Sequence, residues 1–289
     1  MRISAAQRAF NWFNICLLAF ISITAVLPFL HVLAQSFSDN VAIDKGDVYL
    51  WPVRFTAESY NLIFHDPTVW SSMRNSVVIT IGGTFINLAA TATLAYALSR
   101  QEYRFRKVVL MMVLITLIFQ APLIPNYLLI RNLHLLNTLW ALMLPNAISA
   151  FNLFVMRSFF MGLPGELIDS GRIDGCGELR MLWSIVLPLS KPVMATMGLI
   201  YGVNNWNTFK DAIYYITKNN LIPIQVKLQQ MVVDNTLGNS DINSEMAKLL
   251  SPEGIKMAVI IVATIPIMMA YPFLQKYFVK GMMVGSIKS

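Results

Sequence analysis

Seven consecutive residues, Asp169-Ser170-Gly171-Arg172-Ile173-Asp174-Gly175, form a polar island in a largely apolar chain. After nine more residues comes Ile185-Val186-Leu187-Pro188. A hydrophilic segment of fixed spacing between apolar runs offers surface recognition, and it should face a soluble partner. Gly175 can take a positive φ or allow close backbone approach. A second constellation, Asn204-Asn205-Trp206-Asn207, sits inside an apolar run. Polar groups in such a run need partners or a wet cavity. Amides supply both donors and acceptors, and an indole can stack on the apolar face of a sugar. A hydroxyl-rich ligand or a neighbouring helix would satisfy them equally well.

Other chemistry is missing from the spacing. There is no Gly-x-x-x-x-Gly-Lys-Ser/Thr phosphate loop, so the chain is not expected to hydrolyse ATP. His31, His65 and His134 are scattered and show no metal-ligand spacing. No Ser–His–Asp arrangement can be argued. The chain is therefore expected to be neither an enzyme nor a metal protein.

The elements that must position these residues are membrane helices. The chain is 56% hydrophobic and only 13% charged, against about 25% charged in a soluble domain. A core-spanning helix needs about 20 apolar residues. Six runs of that kind occur, near 12–34, 75–98, 108–129, 139–160, 192–217 and 256–279. They are too long and continuous for barrel strands. The first follows Arg2 and Arg8 and ends near Val32-Leu33-Ala34, which resembles a signal-peptide cleavage site. Its length and the five later runs predict that it is retained as an anchor. Cys16 and Cys176 do not make a disulfide framework.

Six spans place both termini on one side. With the N-terminus inside, the inner segments hold 13 of the 22 basic residues and only 5 of the 15 acidic ones. Arg100, Arg104, Arg106 and Lys107 form the tightest basic cluster. Basic short loops face the cytoplasm, so the termini and the polar island are expected there. The net charge of +7 is then a topology signal and not a sign of nucleic-acid binding. The long outer segments near 36–74 and 218–255 are candidates for contact with an extracytoplasmic partner. Asn219-Asn220 and the run 235–241 read as turns.

Within the island, Pro164 suits a first helical turn. Residues 166–173 read as a short surface helix, Gly175 as a hinge, and 179–186 as a second amphipathic stretch. Leu187-Pro188 then returns the chain to the membrane. In the spans, Thr84, Asn87, Thr91 and Thr93 read as packing residues. Pro122, Pro125 and Asn126 could break the third span at a gate.

The island resembles the cytoplasmic Glu-Ala-Ala loop of the permease subunits of binding-protein-dependent ABC importers. That pattern is Glu-Ala-Ala, three residues, Gly, nine residues, Ile-x-Leu-Pro. Asp169, Ser170 and Gly171 stand in the first three places, Gly175 is the glycine, and Ile185, Leu187 and Pro188 close it. Asp is shorter than Glu, and Gly171 is less helix-favouring than Ala by up to roughly 1 kcal/mol. The ending Tyr96-Ala97-Leu98-Ser99-Arg100, the run Leu135-Leu136-Asn137-Thr138 and the stretch 274–281 also resemble the family. The resemblance covers about 75–279. Val203-Asn204-Asn205-Trp206-Asn207 and Leu221-Ile222-Pro223-Ile224-Gln225 look like carbohydrate permeases for oligosaccharides and polysaccharide fragments, such as alginate.

The resemblance implies an all-α membrane protein with six transmembrane helices and the type I importer permease fold. Residues 1–74 would hold the first transmembrane helix and a periplasmic segment. Residues 75–289 would form the permease core, with its cytoplasmic loop at about 162–191. It implies location in the bacterial inner membrane, amid lipid, with no nucleic-acid partner. The partners would be a second homologous permease, two ATP-binding subunits and an extracytoplasmic solute-binding protein. The chain itself would carry no cofactor, and ATP and Mg would bind the partner subunits. Glu166, Asp169, Ser170, Gly171, Asp174 and Gly175 would couple to the ATPase. The Asp169 carboxylate would pair with basic groups there or cap a neighbouring helix, and Ser170 and Gly171 would let the partner approach. Asn204, Asn205, Trp206 and Asn207 would be either path-lining or packing residues. The rival classes are an ion-coupled secondary transporter of small solutes and a non-transport membrane scaffold or receptor. Span centres almost free of ionisable residues argue against the first, and the motif spacing argues against the second.

Overall fold

A computed structural model describes residues 5–237 and 251–286. Among them every regular element is a helix. In chain order these are α1 (Ala5–Ser36), α2 (Asn40–Asp44), α3 (Glu58–His65), α4 (Pro67–Ser99), α5 (Arg106–Ile118) and α6 (Leu123–Asn132). Then come α7 (Trp140–Met143), α8 (Ala150–Met161), α9 (Gly165–Ile173), α10 (Glu178–Met181) and, beyond a π-helical turn at Leu182–Val186, α11 (Leu187–Leu189). The last are α12 (Lys191–Trp206), α13 (Lys210–Tyr215), α14 (Ile224–Leu237) and α15 (Pro252–Ser286).

Three stretches of helix are long and apolar enough to cross a membrane: Phe10–Ser36, Pro67–Ser99 and Pro252–Met269. The other three expected spans are broken, and each break has a local cause. The run 108–129 stops at Ile118 and restarts at Leu123, with Pro122 at the N-cap, because proline lacks the N–H and disfavours helix just before itself. The run 139–160 is interrupted between Met143 and Ala150, where Pro145 and Asn146 lie. The run 192–217 breaks after Trp206, at Asn207 and Thr208, which favour local side-chain bonds over helix. The turn expected over 235–241 is corrected in part, since α14 carries helix through Leu237. Its remainder lies outside the described residues.

The chain forms two compact units. One comprises Met1–Val69 and Leu228–Ile265. Here Phe37 stacks on Phe55 and Tyr60, with ring centroids 5.1 and 4.6 Å away. Ser251 begins α15. Its backbone N–H donates to Asn40 Oδ1 at 2.9 Å and its hydroxyl to Asp44 Oδ1 at 2.6 Å.

The other unit comprises Trp70–Lys227 and Pro266–Ser289. Its larger core joins α4 (Ala92, Ala95, Leu98), α8 (Leu153, Met156, Phe160), α9 (Ile168), the turn after α10 (Leu182, Val186) and α12 (Val193, Met197). A second cluster gathers Ile79, Ile130, Leu142, Tyr215 and Val226. Asn137, at φ +58, accepts hydrogen bonds from the backbone N–H groups of Thr217 and Lys218 and from the Thr217 hydroxyl.

A polar ladder runs through this unit. Asn205 on α12 donates to Asn87 Oδ1 at 2.9 Å and Thr84 Oγ1 at 3.3 Å on α4. Asn87 Nδ2 donates to the Asn146 carbonyl at 2.7 Å, and Asn146 Nδ2 to Asp211 Oδ2 at 2.8 Å. Thr91 and Tyr201 share a hydroxyl–hydroxyl bond at 2.7 Å, and Tyr201 accepts from the Ser149 N–H. The ladder therefore holds the α7–α8 break, which has lost helical bonds of its own. Gly83 leaves room for it, since a β-carbon there would stand 2.8 Å from Asn205 Nδ2. Gly83→Ala should therefore displace Asn205, lower the midpoint of thermal unfolding in detergent, and cost about 1–3 kcal/mol. A wild-type midpoint would show that Asn205 is not held there.

Candidate docking site and polar path

The island folds as the spacing predicts, into a helix, a glycine turn and a second helical stretch. Helix α9 starts after Pro164, with Glu166 in its first turn and Arg172 in its last, both matching the helix dipole. It ends in a Schellman motif. Gly175 takes φ +77, its N–H donates to the Arg172 carbonyl at 3.0 Å, and the Cys176 N–H donates to the Gly171 carbonyl at 2.9 Å. An L side chain at 175 would be strained in that conformation. The chain then turns through 87° between the segment Glu178–Leu189 and α12.

Helix α9 shows two different faces. Ile168 and Gly171 are buried, whereas Glu166, Asp169, Ser170 and Asp174 are exposed. Among the described residues Asp169 has no side-chain hydrogen bond or ion pair, so it caps no neighbouring helix of this chain. Ser170 donates to its own helix, at the Glu166 carbonyl, 2.7 Å away. The close approach expected at Gly171 is made by this chain's own residues. A β-carbon there would meet Ile185 Cδ1 at 2.9 Å and Met181 Sδ at 3.1 Å. Ile173, Leu179 and Trp183 project into solvent, with 86%, 71% and 62% of their surface exposed.

One cluster on this loop was not legible in the sequence. Arg172 donates to Glu102 Oε1 at 2.8 Å and to Glu178 Oε1 at 3.2 Å. The other oxygen of Glu178 accepts from the Tyr96 hydroxyl at 2.5 Å. The Arg100 guanidinium lies 4.4 Å from the centre of the Tyr96 ring, a cation–π contact. Nearby, Arg157 of α8 donates to the Leu98 carbonyl at 2.9 Å, satisfying the end of α4. The bond from Arg172 holds Glu102 below the ordinary carboxylate range. The Tyr96 bond, reinforced by Arg172, does the same for Glu178. Arg172 is pushed up, first by Glu102 and then by Glu178. Carboxylates shifted downward favour the paired state above their unfolded values. That contribution is lost only as pH falls through the lowered ones. The cluster is intact at neutral pH.

The four residues of the second constellation separate. Asn205 and Trp206 are buried, whereas Asn204 and Asn207 are exposed. This follows from the helix, where neighbours point about 100° apart and residues three apart share a face. Asn205 belongs to the ladder. Trp206 lines an apolar cavity of about 350 Å³, together with Val77, Ile81, Leu199, Gly202 and Val203. Apart from the Thr80 hydroxyl and the Trp206 indole N–H, that lining is apolar. The packing expected of Thr84, Asn87 and Thr91 is seen in the ladder, while Thr93 donates only to its own helix at the Ala89 carbonyl.

Known proteins resemble this chain over nearly its whole length. Residues 3–284 match the family described as the binding-protein-dependent transport system inner membrane component. The protein LplC of Bacillus subtilis is 42% identical over 100% of this chain and 98% of its own length. The polygalacturonan/rhamnogalacturonan transport system permease YtcP of the same organism is 40% identical over 98% of this chain and 99% of its own. A solved chain from a bacterial ABC transporter involved in import of the acidic polysaccharide alginate superposes with a TM-score of 0.88 at 31% identity. The match covers 96% of this chain and 99% of that one. The chain belongs to the inner membrane components of binding-protein-dependent transport systems.

Proposed function

We propose that this chain is a permease subunit of an ATP-driven carbohydrate importer, taking up oligosaccharides or fragments of an acidic polysaccharide such as alginate or polygalacturonan. It forms six spans with both termini in the cytoplasm. The broken helices α5–α6, α7–α8 and α12–α13 complete the spans that α1, α4 and α15 begin. The partners are a second permease, two ATP-binding subunits that carry ATP and Mg, and an external binding protein.

The observation that carries this reading is the two-faced helix α9. Its inner face packs through Ile168 and Gly171, while Glu166, Asp169 and Asp174 stand free beside exposed Ile173. A free carboxylate row with an apolar neighbour fits a groove of basic and apolar groups on a soluble subunit. ATP binding draws the ATPase subunits together and pushes on 165–188, which swings the spans from inward- to outward-facing. The names of the relatives and of the solved neighbour support the sugar assignment, as do exposed amides at Asn204 and Asn207. These two line the sugar path, and Asn205 and Trp206 hold the helices that frame it.

Three outcomes follow. Asp169→Lys inverts charge at the docking face, so uptake of labelled alginate and galacturonate oligomers should fall sharply while the chain stays in the membrane. Wild-type uptake would remove the docking role. Asn204→Ala and Asn207→Ala should each change uptake several-fold at normal expression, each lost contact costing about 1 kcal/mol. Asn205→Ala and Trp206→Ala should instead lower the amount of folded chain. Equal effects from all four would collapse the distinction. In sealed cells, Gly165→Cys should resist an impermeant thiol reagent and Trp51→Cys should react. The opposite pattern would invert the topology.

A further inference from the structure

We propose that Arg172 is a positioning residue for coupling. It locks the docking helix α9 to the cytoplasmic end of α4, so that the two move as one body. This inference rests on the docking role proposed for α9.

Helix α9 touches the rest of the chain in two ways. The apolar contact of Ile168 and Gly171 with Met181 and Ile185 gives adhesion, but apolar contact has no direction and tolerates sliding. The polar contact has fixed geometry. Arg172 presents a planar fork and spends it on two carboxylates from different segments. Glu102 lies in the turn that follows α4, and Glu178 opens α10. Glu178 is fixed in turn by Tyr96, in the last turn of α4. Two routes therefore lead from α9 to the same helix end, and a displacement of α9 must stretch both or carry α4 with it.

The ion pairs are solvent-exposed, with 37% of the Arg172 side chain, 62% of Glu102 and 56% of Glu178 accessible. Pairs of this kind add little to stability. Their value here is geometric, and losing them should disturb transmission without unfolding the loop.

The test uses the assembled transporter in lipid nanodiscs, with Cys16 and Cys176 replaced by serine. Spin labels at Gly165→Cys on α9 and Arg104→Cys beyond α4 report the distance between the two elements, with and without ATP trapping. With Arg172 present the distribution should be narrow and unaltered by trapping. In Arg172→Gln it should broaden and shift on trapping, and uptake per ATP hydrolysed should fall several-fold. Arg172→Lys should restore part of both. Tyr96→Phe should broaden the distribution less, because the Glu102 route remains. A narrow, unshifted distribution in Arg172→Gln would overturn the proposal, as would a trapping-dependent shift with Arg172 intact. Joint loss of uptake and complex assembly in Arg172→Gln, without rescue by lysine, would assign it a merely structural role and overturn the proposal too. If Asp169→Lys also transported normally, the docking role of α9 would fall first. If only Asp169→Lys uncouples, the docking role stands and the lock fails.

Discussion

A polar group in an apolar surrounding must find its partner inside the protein, and the architecture of the larger unit follows from that constraint. Three of the expected spans break, and each break frees backbone groups that a continuous helix would have satisfied. Asn87, Asn146 and Asn205 answer this at the α7–α8 break and at the end of α12. Asn205 donates to Asn87, Asn87 donates to the Asn146 carbonyl, and Asn146 donates to Asp211, so the three amides bind α4, α12, α13 and the loop before α8 into one ladder. Bonds of this type between membrane helices contribute about 0.6–2 kcal/mol each. Their larger effect is to fix one arrangement, because any shift of α12 along α4 leaves several amides unpaired at once.

The same logic explains how the polar constellation on α12 can have two jobs. Asn205 is committed to the ladder, and Trp206 fills space beside an apolar cavity. Their neighbours Asn204 and Asn207 are free because the helix turns them elsewhere. The sugar contact proposed for Asn204 and Asn207 would therefore stand next to a rigid support. At the opposite functional end, α9 repeats the pattern, with Ile168 and Gly171 anchored and Asp169 free.

Much of this was legible in the chain. The spacing from Asp169 to Pro188 and the turn-forming Gly175 gave the helix–turn–helix loop, because a Schellman end needs only a glycine in the right place. The prolines at 122 and 125 pointed to the break between α5 and α6. The break before α8 was hidden, since one proline inside an apolar run reads as a kink as readily as an end. Gly171 was read as a place for a partner to approach, but Met181 and Ile185 occupy it. That packing depends on how the second helical stretch folds back, which residue type alone does not encode. The Arg172–Glu102 pair joins residues 70 apart, and sequence periodicity carries no signal at that distance. The split among Asn204, Asn205, Trp206 and Asn207 followed from helical geometry, but which pair faced inward depended on where α4 lay.

Coupling rests on the docking proposed between the exposed face of α9 and an ATP-binding subunit. Photo-crosslinking tests it most directly, with benzoylphenylalanine placed at Asp169 in the intact transporter in native membranes. A covalent adduct with the ATP-binding subunit is expected from Asp169, and none with that subunit from the same probe at Asn204. An Asp169 adduct with the external binding protein, or no adduct with the ATP-binding subunit in an assembled and active complex, would contradict that docking.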